Sequence, residues 1–245
     1  MNEDHIVTSF NDDLNHLESL LLTMGGLVEQ QLIVATTALQ KRDRSLAKQV
    51  LMGDRKINEL EAELNDAAIK VLALRQPFAA DLRNVVMTLK IAAHLERIGD
   101  YTKNMARRTN TITKAAAFIG SVSTLVRMSE LVQNMITAVL DAYNKRDIDA
   151  AEIIRAQDES VDQMLNTLFR ELLTYMMEDT RNISGCMHLL FIAKNIERMG
   201  DHAAEIAQEI IFLVTGEWPQ EKRIKGDITS KMIVNPDDIE NKSET

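Results

Sequence analysis

The pentapeptide Glu-Arg-x-Gly-Asp occurs twice in this chain, and both copies contain side chains that can bind a metal ion. The first copy contains Glu96 and Asp100, and the second contains Glu197 and Asp201. Residues four apart on a helix lie on the same face, so the two carboxylates of each copy are expected to be close. Close carboxylates repel and raise one another's pKa unless a positive charge intervenes. A divalent or trivalent cation with oxygen ligands supplies that charge.

Further oxygen ligands are expected beside each pair. Asn104 and Glu205 follow one helical turn later, so the first site carries less negative charge than the second. If the last two helices of each half pack antiparallel around a short turn, the earlier helix brings more polar side chains to the same place. These are Asp54, Asn58 and Glu61 in the first half and Asp158 and Asp162 in the second. Such ligands admit Mg, Mn, Fe or Zn.

A purely structural role for these acids is the alternative. Acidic pairs at this spacing are common on solvated helices, and Arg97, Arg198 and Lys194 can neutralise them without an ion. The glycines of the two copies, Gly99 and Gly200, favour a special role, because glycine inside a helix costs about 1 kcal/mol relative to alanine. They indicate close approach by a helix, a ligand or a metal ion. Both interpretations remain open on the residues alone.

Other chemistry is poorly represented. His94 and His202 flank the motifs at positions that do not match between the copies, so we interpret them as ordinary polar residues. Di-iron helical enzymes use Glu-x-x-His, and none of the five histidines has a glutamate three residues before it. The sequence contains no Gly-rich phosphate loop and no paired nucleophile and base, so no catalytic residue is predicted.

Long helices in two related halves must position these residues. The chain of 245 residues has only 9 Gly, 3 Pro and 4% aromatic residues, which favours helices joined by short turns. The segment beginning at Met24 matches the segment beginning at Met128 at a constant offset that extends through two Lys-Arg-Asp tripeptides. The aspartates of these tripeptides, Asp43 and Asp147, are predicted to cap the helix that follows each of them.

We therefore predict an all-α protein of two tandem, sequence-related three-helix bundles, with up-down-up order in each half. The predicted helices cover roughly residues 13–42, 44–75, 79–108, 121–145, 148–177 and 181–214. The predicted domains are the first bundle over 1–112, the second over 113–217 and a polar, weakly ordered tail over 218–245. The helices that carry the motifs have two apolar sides, which predicts contact with the other half or with a second subunit.

Composition limits the partners. A net charge of −9 and a pI near 5.1 exclude nucleic acid as a main partner, because phosphate binding needs a basic surface. The first ten residues lack the features of a signal peptide, and no apolar run is expected to reach the length of a membrane span. Cys186 is the one cysteine, so no disulfide is expected. A cytoplasmic protein is predicted.

Six motifs in order give the chain a resemblance to the PhoU family, the regulators of bacterial phosphate uptake. These are MGGLVEQQL, GDRKINELE, RQPFAADLR and LERIGDYTKN in the first half, and YMMED and NIERMGDHAAEI in the second. The resemblance covers the chain from about Phe10 to Val214. It implies tandem three-helix bundles, frequent homodimers, and metal binding through Glu/Asp-x-x-x-Asp motifs at Glu96 with Asp100 and at Glu197 with Asp201.

The resemblance also implies a function. Family members couple the phosphate ABC transporter, through its ATPase subunit, to a membrane-bound sensor histidine kinase. They repress the phosphate-starvation response when phosphate is plentiful and modulate phosphate uptake, and they reach the membrane only through these partners. The function expected here is a non-enzymatic, metal-binding adaptor. The alternatives are a metal-dependent helical enzyme acting on phosphorylated substrates and a metal-free helical scaffold.

Overall fold

Six long helices form the part of the chain that the computed structural model describes, residues 3–114, 122–220 and 225–229, with side chains from Phe10 onward. The helices are α1 Glu3–Lys41, α2 Arg44–Arg75, α3 Ala79–Ile112, α4 Val122–Lys145, α5 Ile148–Glu178 and α6 Ile183–Thr215. A short 3-10 helix, Thr180–Asn182, precedes α6, and no strand occurs within the described ranges. The prediction of an all-α protein with three helices in each half is confirmed.

Two helix ends differ from the prediction by more than two residues. Helix α1 begins at Glu3 rather than near Asp13, because no proline or glycine interrupts the chain ahead of Asp13. Helix α3 continues past Arg108 to Ile112, where threonine side chains donate hydrogen bonds to carbonyls one turn earlier along the same helix.

The turn between the first two helices has the same conformation in both halves. Arg42 and Arg146 adopt left-handed backbone angles, with φ of 53° and 56°. The backbone N–H of the aspartate that follows each arginine donates to a carbonyl of the preceding helix at 2.9 Å. The carboxylate of Asp43 then accepts from the N–H of Ser45 at 2.7 Å, and Asp147 accepts similarly from the first turn of α5. The predicted N-caps are confirmed, and one residue both closes one helix and opens the next.

Helices α3 and α6 pack against each other in antiparallel orientation and join the two halves. Near the start of α3, Arg83 Nε donates to the carbonyl of Leu213 near the end of α6 at 2.9 Å. Further along α3, the hydroxyl of Thr102 lies 3.2 Å from Met199 Sδ. The buried apolar side chains form one cluster across both halves. The second apolar side of these helices therefore contacts the other half of the same chain, which was one of the two predicted options.

Helix α1 corrects one expectation from composition. Its described part, Phe10–Lys41, is long enough for a membrane span and contains an 18-residue window with a mean hydropathy of 1.2, which is apolar enough for one. Half of this apolar window is buried inside the protein, where α1 packs against α2, α3 and α4. The expectation that no run has this composition is therefore wrong, and packing inside a helical bundle accounts for the apolar residues.

The described part of the predicted tail contacts both halves. The Trp218 ring stacks on Phe212 with ring centroids 4.3 Å apart, and the ammonium of Lys90 lies over the Trp218 ring. Residues 225–229, which we name the C-terminal strap, return to α5 and α6, where they contact Asn166 and Lys194. These contacts were not predicted, because the tail sequence has no periodicity. Residues 221–224 and 230–245 lie outside the described residues.

Two adjacent glycines on α1 test the packing between the halves. A Cβ atom on Gly25 would lie 2.5 Å from Cδ2 and 3.2 Å from Cγ of Leu140 on α4, whereas one on Gly26 would have no neighbour within 4 Å. Alanine gains about 1 kcal/mol of helix propensity at either position, but overpacking at residue 25 costs about 1–3 kcal/mol.

We expect Gly26→Ala to raise the free energy of unfolding by up to about 1 kcal/mol. Gly25→Ala should be less stable than Gly26→Ala by at least about 1 kcal/mol, because its methyl group displaces Leu140. Urea-induced unfolding of the two variants and the wild type measures this difference. Equal stabilisation by both substitutions would contradict the close contact of α1 with α4.

Candidate metal centres

The first acidic cluster lies between α2 and α3 and contains Asp54, Glu96 and Asp100. Asp54 is buried, and its Oδ2 atom forms an ion pair with the ammonium of Lys103. The same ammonium lies 3.5 Å from Asp100 Oδ1. The other oxygen of Asp54, Oδ1, is buried with no hydrogen-bond partner among the described residues. The first motif therefore meets an acid of α2, as predicted, with a lysine between them.

The electrostatics of this cluster favour an added positive charge. Burial raises the pKa of Glu96 above its ordinary value, and the nearby carboxylates of Asp100 and Glu61 raise it further. Arg97 partly opposes the effect, with Nε lying 3.7 Å from Glu96 Oε2 and Nη1 lying 3.9 Å from Asp100 Oδ2. The prediction that Glu61 lies near the motif is thus supported by its effect on Glu96.

The two asparagines predicted for this site are placed less favourably. Asn58 lies on the exposed side of α2. The side-chain oxygen of Asn104 accepts a hydrogen bond from Arg107 at 3.2 Å. Neither asparagine therefore adds a ligand to the buried part of the cluster.

The second acidic cluster lies between α5 and α6 and contains Asp158, Asp162, Glu197 and Asp201. Asp158 has no exposed surface, Asp162 is 2% exposed and Glu197 is 5% exposed. Lys194 Nζ lies 2.9 Å from Glu197 Oε1, whereas Oε2 is buried with no hydrogen-bond partner among the described residues. The carboxylate of Asp201 on α6 raises the pKa of Asp162 on α5, so acids of the two helices lie near each other, as predicted.

The motif glycines allow close helix contacts in both halves. A Cβ atom on Gly99 would lie 3.2 Å from Cδ1 of Ile57 on α2. One on Gly200 would lie 3.3 Å from Oδ1 of Asp158 and 3.5 Å from a methyl carbon of Val132 on α4. The predicted close approach of a neighbouring helix is confirmed. It also brings the backbone of α6 directly against a buried carboxylate.

The C-terminal strap covers the second acidic cluster. The N–H of Gly226 donates to Asp162 Oδ2 at 2.7 Å, and its carbonyl accepts from Asn166 at 2.7 Å. Lys225 Nζ lies 3.3 Å from Asp201 Oδ1. The strap therefore brings an ammonium and a backbone donor to carboxylates that were predicted as metal ligands.

Asp227 of the strap adds a further carboxylate and shares Lys194 with the motif. Lys194 Nζ lies 2.5 Å from Asp227 Oδ2 and also pairs with Glu197. Burial raises the pKa of Glu197, and Lys194 opposes this. Burial likewise raises the pKa of Asp162, while the N–H of Gly226 lowers it. The positive groups present thus compensate burial only in part.

Glu205, predicted as an additional ligand of the second cluster, contacts two histidines at the junction of α3 and α6. Its Oε2 atom lies 2.9 Å from Nδ1 of His202 and 3.3 Å from Nδ1 of His94. The two Nδ1 atoms are 2.9 Å apart. We did not predict this group, which we name the His–Glu cluster, because the histidines do not match between the repeats. The His-x-x-Glu spacing on one helix face was the available sequence signal.

The three groups differ in how well they could hold a metal ion. Among the described residues, only the His–Glu cluster brings three such ligand atoms within 4.8 Å of one another. The acidic clusters offer oxygen donors, and the buried oxygens Asp54 Oδ1 and Glu197 Oε2 fit a hard cation. Their carboxylates, however, are arranged around Lys103 and Lys194. An ion bound there has to displace an ammonium and draw the acids together.

The chain is similar to known proteins over most of its length. The family model for the PhoU domain matches residues 21–109 and again residues 125–210. The phosphate-specific transport system accessory protein PhoU homolog of Caulobacter vibrioides is 43% identical over 228 residues, which cover 93% of this chain and 99% of that protein. The accessory protein PhoU of Escherichia coli K12 is 38% identical over 95% of both chains. The crystal structure of PhoU from Pseudomonas aeruginosa matches with a TM-score of 0.83 at 39% identity, covering 85% of this chain and 100% of that one.

The burial of Glu197 predicts a pH dependence of stability in the absence of metal. Its pKa is raised in the folded state, so the folded chain binds the carboxyl proton of Glu197 more tightly than the unfolded chain does. Ionised Glu197 therefore destabilises the fold at neutral pH, and this penalty is lost as the pH falls toward its ordinary pKa of 4.5. Glu197→Gln removes the ionisation while keeping a similar shape.

In chelator at neutral pH we expect Glu197→Gln to have a larger free energy of unfolding than the wild type. The two proteins should converge as the pH is lowered toward 4.5, where both carry a neutral side chain at residue 197. Urea unfolding at a series of pH values measures the free energy of unfolding of both proteins. The control is Glu63→Gln, at an exposed side chain, for which no such convergence with the wild type is expected. A less stable Glu197→Gln at neutral pH would show that the ion pair with Lys194 outweighs burial.

Proposed function

This chain belongs to the PhoU family, and on that premise we propose that it is a cytoplasmic, non-enzymatic adaptor of a phosphate-specific transport system. The observation that carries the proposal is similarity over nearly the whole chain to proteins named as accessory proteins of that system. The adaptor contacts the ATPase subunit of the phosphate ABC transporter and a sensor histidine kinase. It represses the phosphate-starvation response when phosphate is plentiful, and it modulates phosphate uptake.

Exposed apolar side chains at the turn between α2 and α3 support a role in protein contact. Leu74, Phe78 and Leu82 are 78%, 86% and 42% exposed. The start of α6, which follows the matching turn of the second half, exposes Ile183, Met187 and Phe191 to a lesser degree. Apolar groups of this size on a surface are typical of docking sites. We assign the α2–α3 turn to a partner protein or to a second copy of the chain in a homodimer.

Metal binding at the acidic clusters is part of the proposal. The buried carboxylates have raised pKa values and incompletely compensated charge, and a bound Mg, Mn, Fe or Zn ion would supply positive charge to oxygen ligands. Glu96 with Asp100 and Glu197 with Asp201 are the first ligands in each half, and Asp54, Asp158 and Asp162 are the second-helix ligands. The role assigned to such an ion is to fix the acidic face, not to activate a substrate.

One observation favours the alternative of a metal-free scaffold. Lys103 and Lys194 already form ion pairs inside the two clusters, so the fold has an internal source of positive charge. The alternative of a metal-dependent enzyme acting on phosphorylated substrates is separated from the adaptor by assaying the purified chain for phosphatase activity with and without divalent ions. Metal-dependent turnover would overturn the non-enzymatic assignment.

Metal binding predicts a stability gain that depends on Asp201. An ion that binds only the folded state stabilises it by about 2.7 kcal/mol at a hundredfold excess over Kd. For a chain of this size each kcal/mol raises Tm by about 2–4 °C. We expect millimolar Mn²⁺ or Mg²⁺ to raise the Tm of the wild type relative to chelator. Asp201→Ala should lose most of this rise while keeping its stability in chelator, because it removes a repelling carboxylate.

Asp100→Ala should lose a smaller part of the rise, because the first cluster gathers fewer acids than the second. The exposed Asp66→Ala on α2 is the matched control and should keep the full metal response. If the wild type shows no metal-dependent shift, or Asp201→Ala is destabilised by several kcal/mol in chelator, these aspartates are structural and the scaffold alternative holds.

The regulatory proposal predicts the behaviour of a deletion strain. Removing the gene should switch on a phosphate-starvation reporter in phosphate-rich medium, and the wild-type chain should restore repression. Phe78→Ser should fold normally, because the side chain is 86% exposed, but should restore repression poorly. Met52→Ser, at a side chain that is 74% exposed elsewhere on α2, is the control and should restore it. Unchanged reporter expression in the deletion strain would overturn the regulatory role.

A further inference from the structure

The His–Glu cluster joins the two halves of the chain at the packed faces of α3 and α6. We propose that His94, His202 and Glu205 form a nitrogen–oxygen site for one transition-metal ion of the Zn²⁺ class, separate from the acidic clusters. His94 is contributed by α3 of the first half, and the other two ligands come from α6 of the second half. The inference does not rest on the regulatory function or on metal binding by the acidic motifs.

The spacing of the three donor atoms matches one face of a tetrahedral site. Zinc binds imidazole nitrogen at about 2.0–2.1 Å and carboxylate oxygen at about 2.0–2.2 Å, which separates tetrahedral ligands by about 3.3 Å. In the His–Glu cluster the separations are 2.9 Å, 2.9 Å and 3.3 Å. Small side-chain movements would therefore admit an ion, whereas the acidic clusters have to rearrange around their lysines.

The side-chain chemistry of the cluster also suits the binding of a transition-metal ion. A neutral imidazole has one N–H and one lone pair, and the lone pair is the metal ligand. Burial lowers the pKa of His94, which keeps it neutral at neutral pH, and Glu205 only partly opposes this. Imidazole ligands bind a metal through a lone pair and add no charge, so the charge of this ligand set comes from the Glu205 carboxylate. Imidazole nitrogens favour Zn, Cu, Fe or Ni over Mg.

The surroundings hold the ligands while leaving access to solvent. The His202 ring stacks on Tyr101, with centroids 5.7 Å apart and planes 21° apart. The side chains of His94 and His202 are 21% and 19% exposed, so an ion and a coordinating water can reach the cluster. Lys90 on α3, whose charge acts on His94, lies 3.2 Å from Glu209 and is thus paired with another acid.

The internal repeat shows that the site occurs once. The offset between the two motifs maps His94 onto Asn195, so the histidine has no equivalent in the second half. It also maps His202 onto Tyr101 and Glu205 onto Asn104. The related positions contain no imidazole and no carboxylate, so a single ion at the junction is expected.

Cobalt substitution tests this site directly. The untagged full-length chain, freed of metal with chelator, is titrated with Co²⁺ and its visible absorption is recorded. A four-coordinate site with two imidazoles gives intense bands, whereas all-oxygen, six-coordinate sites give weak ones. We expect one equivalent of Co²⁺ to produce the intense bands and Zn²⁺ to abolish them by displacement. His94→Asn and His202→Asn should each lower the Co²⁺ affinity of this site at least about tenfold.

Matched variants separate this site from the acidic clusters. His16→Asn, at an exposed histidine on α1, and the Asp100→Ala, Asp201→Ala double variant should keep the intense bands. Thermal unfolding in chelator establishes that each variant folds, and Glu205→Gln replaces either histidine variant that does not. Absence of the intense bands in the wild type, or bands that persist unchanged in the histidine variants, would overturn the proposal. The three side chains of the cluster would then be joined by hydrogen bonds alone. Neither result bears on the acidic motifs.

Discussion

Carboxylates held between packed helices are the constraint on which this structure depends. In each half the backbone at a glycine allows the third helix to approach its neighbour closely, and the acids of both helices lose water as a result. Burial then raises the pKa values of Glu96 and Glu197, and positive charge has to be supplied from within the protein or from solution. The lysines, the C-terminal strap and the proposed metal ions are different ways to meet this one requirement.

The two halves meet the requirement differently although they share a sequence ancestor. The first cluster uses Lys103, which lies on α3 one turn after Asp100. The second uses Lys194 from the turn before the motif and Lys225 from the strap. The repeat thus keeps the motif acids, the motif glycines and the pair Asp54 and Asp158 at matching positions, while the compensating lysines lie at unrelated positions.

Much of the fold and of the acidic clusters could be predicted from the sequence, because both depend on local and repeated features. Helical periodicity and the capping aspartates determine the helices, and the short turns determine which helices are antiparallel neighbours. The meeting of Asp54 with the first motif follows from that geometry alone. The His–Glu cluster could not be predicted this way. It depends on the register between α3 and α6, and the residues that meet there, His94 and His202, are not equivalent in the repeat.

The C-terminal strap gives the second acidic cluster a competitor within the same chain for any ion that binds there. A chain segment tethered close to its site competes at a high effective concentration, and this competition is independent of how much protein is present. An ion entering the second cluster would compete with Lys194 and also with the strap, whereas an ion entering the first would compete only with Lys103 and Arg97 of α3. An ion bound in the second cluster, as proposed, would therefore have to loosen the strap, so occupation of that cluster would be coupled to the contacts of residues 225–229.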